Sequence, residues 1–223
     1  MARANKAWRL ALLIGLVVWM PLWEGPSTLG WAAASAAPAA EAHRRAHLPF
    51  PDSLRDGDLV LRRGTDLLAA IVLAQGQSTR FSHVGMVLHD GDRITVVHAI
   101  PPEAGGRGGV LQEPLEAFAS VEVAADVAFY RVEGLDEAAL QRLRTYLLAQ
   151  LGKPFDLNFS YADDSQHYCT ELVLKALRHA EFPIHDTLTP VTLLTLPEAV
   201  FAPDSLRSSR RLRAVADASR PHF

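Results

Sequence analysis

Cysteine is nearly absent from this sequence, since the 223 residues contain only Cys169. One cysteine cannot form a disulfide within the chain, which excludes a small fold held together by disulfides. Neither sign of charge dominates, with 22 Lys and Arg residues against 25 Asp and Glu residues, and no basic stripe is visible. The composition therefore gives no support for nucleic-acid binding. Apolar residues make up 49% of the chain, enough for the core of one moderate domain with appendages.

The hydrophobic run near the N-terminus is short. Residues 10–23 are uncharged and mostly apolar, whereas a helix that spans a bilayer needs about 20 such residues. The run follows a basic segment, residues 1–9, and precedes Ala34-Ser35-Ala36. This order is typical of a secretory signal peptide cleaved after Ala36. An uncleaved anchor is the alternative, and membrane contact would then be confined to this segment. The sequence thus predicts an exported protein, periplasmic or secreted.

The remaining chain divides by composition. Residues 37–52, rich in Ala, Pro and His, are predicted as a flexible lead-in. Residues 53–204 contain the periodic apolar segments and are predicted as one domain. Residues 205–223 are polar and rich in Arg, and they are predicted as a frayed C-terminal tail.

Cys169 opens an apolar helical pattern, with residues 163–165 as plausible N-caps. The apolar positions that follow recur at the spacing of one helix face: Leu172, Val173, Ala176, Leu177 and Ala180. In the first turn, the helix dipole and free backbone N–H groups favour a thiolate, which predicts a lowered pKa and a nucleophile. The alternative is an inert cysteine buried in the core.

Two histidines are predicted to meet across a β-hairpin. Residues 81–88 and 93–100 are typical of strands joined by a tight turn near Asp90-Gly91. With that turn, the residue numbers of facing pairs sum to about 181. His83 and His98 then become cross-strand neighbours with Cβ atoms ~5 Å apart. A slip of one residue would separate them.

Two further helices and one loop are predicted around this core. Residues 67–75 are mostly apolar and are expected to form a buried helix. Residues 136–151 carry a leucine stripe that Gly152 ends. The glycine-rich loop 101–109 does not follow a strand and open a helix, so it is interpreted as a flap and not as a phosphate-binding loop.

Five short motifs follow one another in a characteristic order: Gly57-Asp58-Leu59-Val60, Ser82-His83-Val84-Gly85, Val97-His98-Ala99, Gly152-Lys153-Pro154-Phe155-Asp156 and Tyr168-Cys169-Thr170-Glu171-Leu172-Val173. Over roughly residues 55 to 200, this order resembles the circularly permuted NlpC-like cysteine hydrolases, the YiiX-like group of papain-related domains. In unpermuted relatives the cysteine helix precedes the histidine strand. The resemblance implies an α+β fold in which an antiparallel sheet packs against helices, including the cysteine helix.

The resemblance also implies roles for individual residues. Cys169 is similar to the family nucleophile, His83 to the base that takes its proton, and His98 to the polar residue that orients the base. The backbone N–H of Cys169 is the expected first oxyanion donor. Tyr168 and Asp156 are expected to contribute to substrate binding, with core packing for Tyr168 and helix capping or simple solvation for Asp156 as the alternatives.

Three functions are consistent with these residues. The first is an exported cysteine hydrolase that cleaves an amide, with cell-wall peptides as the substrate class. The second is an acyl-lipid hydrolase or acyltransferase of the same superfamily. The third is a non-catalytic envelope binding module. No metal and no cofactor are predicted. A metal site formed by Cys169, His83 and His98 is the alternative, although their spacing matches no structural zinc signature.

Overall fold

The computed structural model of the protein describes residues 47, 50–51, 53–74, 79–102, 108–184, 188 and 200–217. The predicted signal peptide and most of the predicted lead-in lie outside these ranges. The described chain contains six strands: β1 Leu59–Gly64, β2 His83–Asp90, β3 Arg93–Ile100, β4 Gly109–Pro114, β5 Ala124–Val132 and β6 Leu212–Asp217. It also contains four α-helices: α1 Leu67–Leu73, α2 Leu115–Phe118, α3 Glu137–Ala149 and α4 Cys169–His179.

The strands form one antiparallel sheet in the order β4-β3-β2-β1-β5-β6. One face packs against α4 and α3, and its core includes Leu61, Met86 and Leu172. The other face packs around Phe118 of α2 and includes Val60 and Val96. Because side chains alternate along a strand, successive residues of β1, and likewise of β2, pack into opposite cores. The predicted α+β architecture is confirmed.

Helix α3 lies within the predicted range 136–151. Asp136 caps it by accepting a hydrogen bond from the backbone N–H of Ala139 at 2.7 Å. Leu143 and Leu147 are buried, and Gly152 adopts φ +83° just beyond the end. Helix α3 packs against α4 and thereby supports the cysteine helix from behind.

Helix α4 begins later than predicted. Its N-cap is Tyr168, so Cys169 occupies the first helical position. The predicted N-caps at 163–165 were wrong because Asp163 closes a turn of its own. Its carboxylate accepts hydrogen bonds from the backbone N–H of Ser165 at 2.8 Å and from the Gln166 amide at 2.9 Å.

The β2–β3 hairpin has a different register from the predicted one. Asp90 pairs with Arg93 and Met86 with Val97, so the residue numbers of facing pairs sum to 183. The turn is shifted because Gly91, at φ +60°, takes the first of the two loop positions. A shift of two residues keeps every side chain on its face, so His83 and His98 still share one.

Gly85 makes room for the two histidines. A Cβ atom at Gly85 would lie 2.3 Å from Cγ1 of Val96 and 3.1 Å from Cβ of His98. His98 therefore lies over a position without a side chain, and its ring reaches diagonally towards His83. In the observed register, His83 and His98 are diagonal neighbours on adjacent strands. In the predicted register they were directly opposite each other.

The C-terminal segment is part of the domain up to residue 217. Residues Pro203–Ser208 form a 3₁₀ helix with Leu206 buried, and β6 pairs with β5 at the edge of the sheet. The prediction of a frayed tail from residue 205 was therefore wrong. The segment is polar because an edge strand exposes much of its surface, not because it lacks structure. Residues 218–223 lie outside the described ranges.

Helix α1 is shorter and more exposed than predicted. Leu67 is 79% and Ile71 is 54% exposed, while Ala69 is buried. The expectation of a buried helix was wrong because α1 packs only along one narrow face and leaves apolar side chains in solvent. None of the helices in the described chain has the length and apolar character needed to cross a membrane.

Candidate active site

One cavity of about 220 Å³ contains both Cys169 and His83 in its lining. Its other polar lining residues are Ser82, Tyr168 and Thr170. The rest of the described lining is apolar: Leu68, Ile71, Val72, Pro101, Phe155, Phe159, Val200, Phe201, Ala202 and Pro203. Helix α1, the start of β2, the start of α4 and the segment before the 3₁₀ helix thus surround the thiol of Cys169 with mostly apolar walls.

Cys169 is 8% exposed at the first position of α4. Burial raises the pKa of its thiol, because a thiolate loses hydration there. Backbone hydrogen bonds at Val84 and Thr170 lower the thiol pKa, as does the Thr170 hydroxyl, 3.9 Å from Sγ. Their combined effect is smaller than that of burial. The sequence-based prediction of a lowered pKa was therefore wrong. Cys169 does lie at a helix N-terminus, but burial raises the thiol pKa by more than the helix terminus lowers it.

A chain of close polar contacts runs from His83 to a carboxylate. His83 Nε2 lies 2.8 Å from His98 Nδ1, and His98 Nε2 lies 2.9 Å from Oε1 of Glu113 on β4. His98 is only 1% exposed, whereas Glu113 is partly exposed. The side chain of Phe118 packs against both imidazole rings, with ring centroids 5.6 Å from His83 and 5.0 Å from His98.

This chain determines which nitrogen of each ring carries the proton. A carboxylate only accepts hydrogen bonds, so His98 donates from Nε2 to Glu113. A neutral His98 then has a lone pair at Nδ1, which accepts the Nε2–H of His83. His83 is left with a lone pair at Nδ1, the tautomer that a general base needs.

The electrostatics keep both rings neutral. Burial lowers the pKa of His83 well below its usual value, and the positive charge of Arg62 and the neighbouring His98 add to this. Burial also lowers the pKa of His98, although its hydrogen bond to Glu113 acts in the opposite direction. Together with the raised pKa of the Cys169 thiol, these shifts favour a thiol and a neutral imidazole in the resting site.

The other predicted site residues have different surroundings. Tyr168 lines the cavity, and burial raises the pKa of its hydroxyl. Asp156 is fully buried and is not part of the described lining. Its carboxylate accepts hydrogen bonds from the backbone N–H groups of Asn158 and Ser160 at 2.8 and 2.6 Å. These contacts hold a loop, so a substrate-binding role for Asp156 finds no support in this geometry.

Sequence reasoning missed Glu113. The residue lies on β4 opposite Val96 and on the same face as His98. Its recognition required the pairing of β3 with β4, and the loop between these strands offered no register signal. A carboxylate three residues after the apolar Val110 was the only hint in the sequence.

A cysteine at the start of a helix that packs on an antiparallel sheet, with a histidine of that sheet in the lining of the same cavity, is typical of the papain-like class of α+β domains. Residues 53–215 match the family described as permuted papain-like amidase enzymes of the YaeF/YiiX type, family C92. The chain belongs to this family, and the predicted permuted papain-like fold is confirmed.

Two relatives illustrate the similarity. The chain is 33% identical over 103 residues to the uncharacterized protein YiiX of Escherichia coli strain K12. That match covers 46% of this chain and 47% of the relative, so it spans about half of the relative's length. A crystal structure of the metalloprotein yiiX from Escherichia coli O157:H7 superposes with a TM-score of 0.60 at 23% identity. It covers 73% of this chain and 97% of that one, and it supports the fold alone.

Proposed function

We propose that the protein is a cysteine hydrolase that cleaves an amide through an acyl-enzyme on Cys169. The observation that supports this most is the shared cavity: Cys169 lines it together with His83, whose tautomer is set by His98 and Glu113. A nucleophile, a base and an orienting group are the parts that acyl transfer requires.

The reaction follows from these atoms. Sγ of Cys169 attacks the carbonyl carbon while Nδ1 of His83 takes the thiol proton. The oxyanion forms near the first turn of α4, where the backbone N–H of Cys169 is the proposed donor. The C–N bond then breaks, and the leaving amine takes the proton from His83. Water attacks the thioester, gives a proton to His83 and releases the carboxylic acid, after which Cys169 recovers its proton.

The cavity wall favours an apolar acyl group over a cell-wall peptide. The part of the lining that the structure describes contains no Lys, Arg, Asp or Glu. Peptides of the cell wall carry carboxylates and amines, which lose hydration in such surroundings without gaining a partner. An acyl chain instead gains about 0.8 kcal/mol for each CH₂ group that it buries. We therefore propose an amide with an apolar acyl group, such as an acyl-lipid, as the substrate.

Mass spectrometry of the intact protein tests both statements. With an N-octanoyl anilide, we expect a mass increase of one octanoyl group on Cys169. An N-acetyl anilide lacks six CH₂ groups that contribute about 0.8 kcal/mol each when buried, so its labelling should be at least about 10²-fold less or slower. A wall-type peptide with free carboxylates should give no adduct. The matched control is Cys169→Ala, which should not be labelled.

Each outcome has a separate meaning. Labelling only by the wall-type peptide would contradict the apolar substrate and favour the cell-wall hydrolase. The absence of an adduct and of turnover with every amide would contradict the enzyme and favour a binding module.

We further propose that the protein is exported. The basic residues 1–9, the apolar residues 10–23 and Ala34-Ser35-Ala36 support this, although they lie outside the described residues. N-terminal sequencing of protein from the native cell type should find a chain that begins at Ala37. A chain that keeps residues 1–36 in the cytoplasmic fraction would contradict export.

A further inference from the structure

A buried ion pair lies behind the nucleophile, and the proposed reaction does not use it. Glu171 is fully buried and Lys175 is 1% exposed, one helical turn apart on α4. Lys175 Nζ lies 2.6 Å from Oε1 of Glu171. Charged side chains are rarely buried so completely, and replacing such a pair by apolar residues is often neutral or stabilising. Stability alone therefore does not explain these two charges.

The carboxylate of Glu171 contacts the residue directly before the nucleophile. Its Oε2 accepts the backbone N–H of Tyr168 at 3.0 Å. This bond fixes the peptide at which the chain enters α4, and the next N–H belongs to Cys169. The orientation of the proposed oxyanion donor thus depends on where this carboxylate lies.

The ammonium group of Lys175 holds the carboxylate and the preceding loop together. Besides Glu171, Nζ contacts Oδ1 of Asp164 at 2.6 Å and donates to the backbone oxygen of Asp163 at 2.8 Å. Asp164 is 73% exposed, so Lys175 reaches from the core to a surface loop. That loop carries Phe159, which lines the cavity. One ammonium group therefore connects the start of α4 to a wall of the substrate cavity.

We propose that Glu171 and Lys175 are positioning residues that hold the backbone N–H of Cys169 towards the oxyanion. This inference rests on the proposed function, since it concerns the same reaction. Neither side chain lines the cavity or touches the reacting atoms in the described structure. They act through the Tyr168 peptide and through the loop of residues 163–164.

Two reactions of Cys169 separate positioning from general structural support. Amide cleavage develops an oxyanion and needs the donor. Alkylation by iodoacetamide displaces iodide at a saturated carbon and develops no oxyanion, so it needs only the thiol. A misplaced donor should slow the first reaction and leave the second unchanged.

The experiment compares Glu171→Gln, Lys175→Met, the double variant and wild type, each corrected for folded fraction by circular dichroism. The control is Arg93→Met, which removes a cation from an exposed ion pair. For the single variants we expect kcat for an N-octanoyl anilide to fall about 10- to 100-fold with KM little changed. Alkylation should stay within about 2- to 3-fold of wild type, because it requires no oxyanion donor. The double variant should fold better than either single variant without recovering kcat, and Lys175→Arg should recover part of it.

Three results would overturn the proposal. Unchanged kcat per folded molecule would make the pair structural, and parallel losses of kcat and alkylation would indicate a generally disordered site. An inactive wild type would overturn the proposed function itself, and this inference with it. The first two results leave wild-type turnover intact and are therefore distinguishable from the third.

Discussion

Replacing Cys169 by Ala is expected to abolish amide hydrolysis while the protein stays folded. The proposed pathway passes through a bond to Sγ, which an alanine side chain cannot form. The loss of kcat should reach at least about 10⁴-fold, since removal of a nucleophile eliminates the covalent route. Steady-state hydrolysis of an N-octanoyl anilide measures this, with the detection limit set by the uncatalysed rate.

The stability of the same variant is the control. Ala preserves the helix position and removes one sulfur atom from a buried site, so the free energy of unfolding should fall by only about 1 kcal/mol. Thermal unfolding of wild type and variant shows whether the two are comparably folded. A folded Cys169→Ala protein that keeps a tenth or more of wild-type activity would exclude the covalent mechanism.

Replacing His83 by Gln is expected to lower kcat/KM by about 10² to 10⁴-fold, the usual contribution of a general base. Gln retains a polar group of similar size but cannot accept the thiol proton. Glu113→Gln is the milder companion, because its amide oxygen still accepts the Nε2–H of His98 and keeps the tautomers in place. In Glu113→Gln, kcat/KM should fall by no more than about 10-fold, because a neutral hydrogen bond replaces one to a charged group.

The pH dependence distinguishes this base from a preformed ion pair. Because burial lowers the pKa of His83, wild-type kcat/KM should stay level from pH 8 to below pH 6.5 and fall only as the ring gains a proton. Because burial raises the pKa of Cys169, deprotonation of the thiol should begin only in the alkaline range. In His83→Gln the rate should instead rise by about 10-fold per pH unit across the neutral range, as the thiolate population grows.

Alkylation of Cys169 by iodoacetamide provides the decisive comparison. A neutral thiol and imidazole predict slow alkylation at neutral pH and a similar titration in wild type and His83→Gln. A wild-type thiol that titrates below pH 7 and moves upward in His83→Gln would instead show a thiolate–imidazolium pair. That result would contradict the neutral resting state and restore the lowered pKa that the helix terminus alone predicts.

The local pattern of the sequence determined the main helices, the orientation of side chains along the strands and the fold family. The apolar spacing after Cys169 predicted α4, the leucine stripe predicted α3, and the order of five motifs predicted the permuted fold. These features are short-range, since helix periodicity and strand alternation repeat within a few residues. The face shared by His83 and His98 also followed from alternation, and it survived an error of two residues in register because the period of a strand is two.

The tertiary structure alone decided how those parts meet. Glu113 contacts His98 only because β4 pairs with β3. Residues 212–217 form the strand β6 only because they pair with β5. The thiol pKa depends on burial, which arises from residues distant in the chain, and it reversed the shift expected from the helix terminus. The Glu171–Lys175 pair looks in the sequence like an exposed i, i+4 pair on a helix. Only packing against α3, the sheet and the loop after Asp156 buries the pair beside the start of α4, where Cys169 lies.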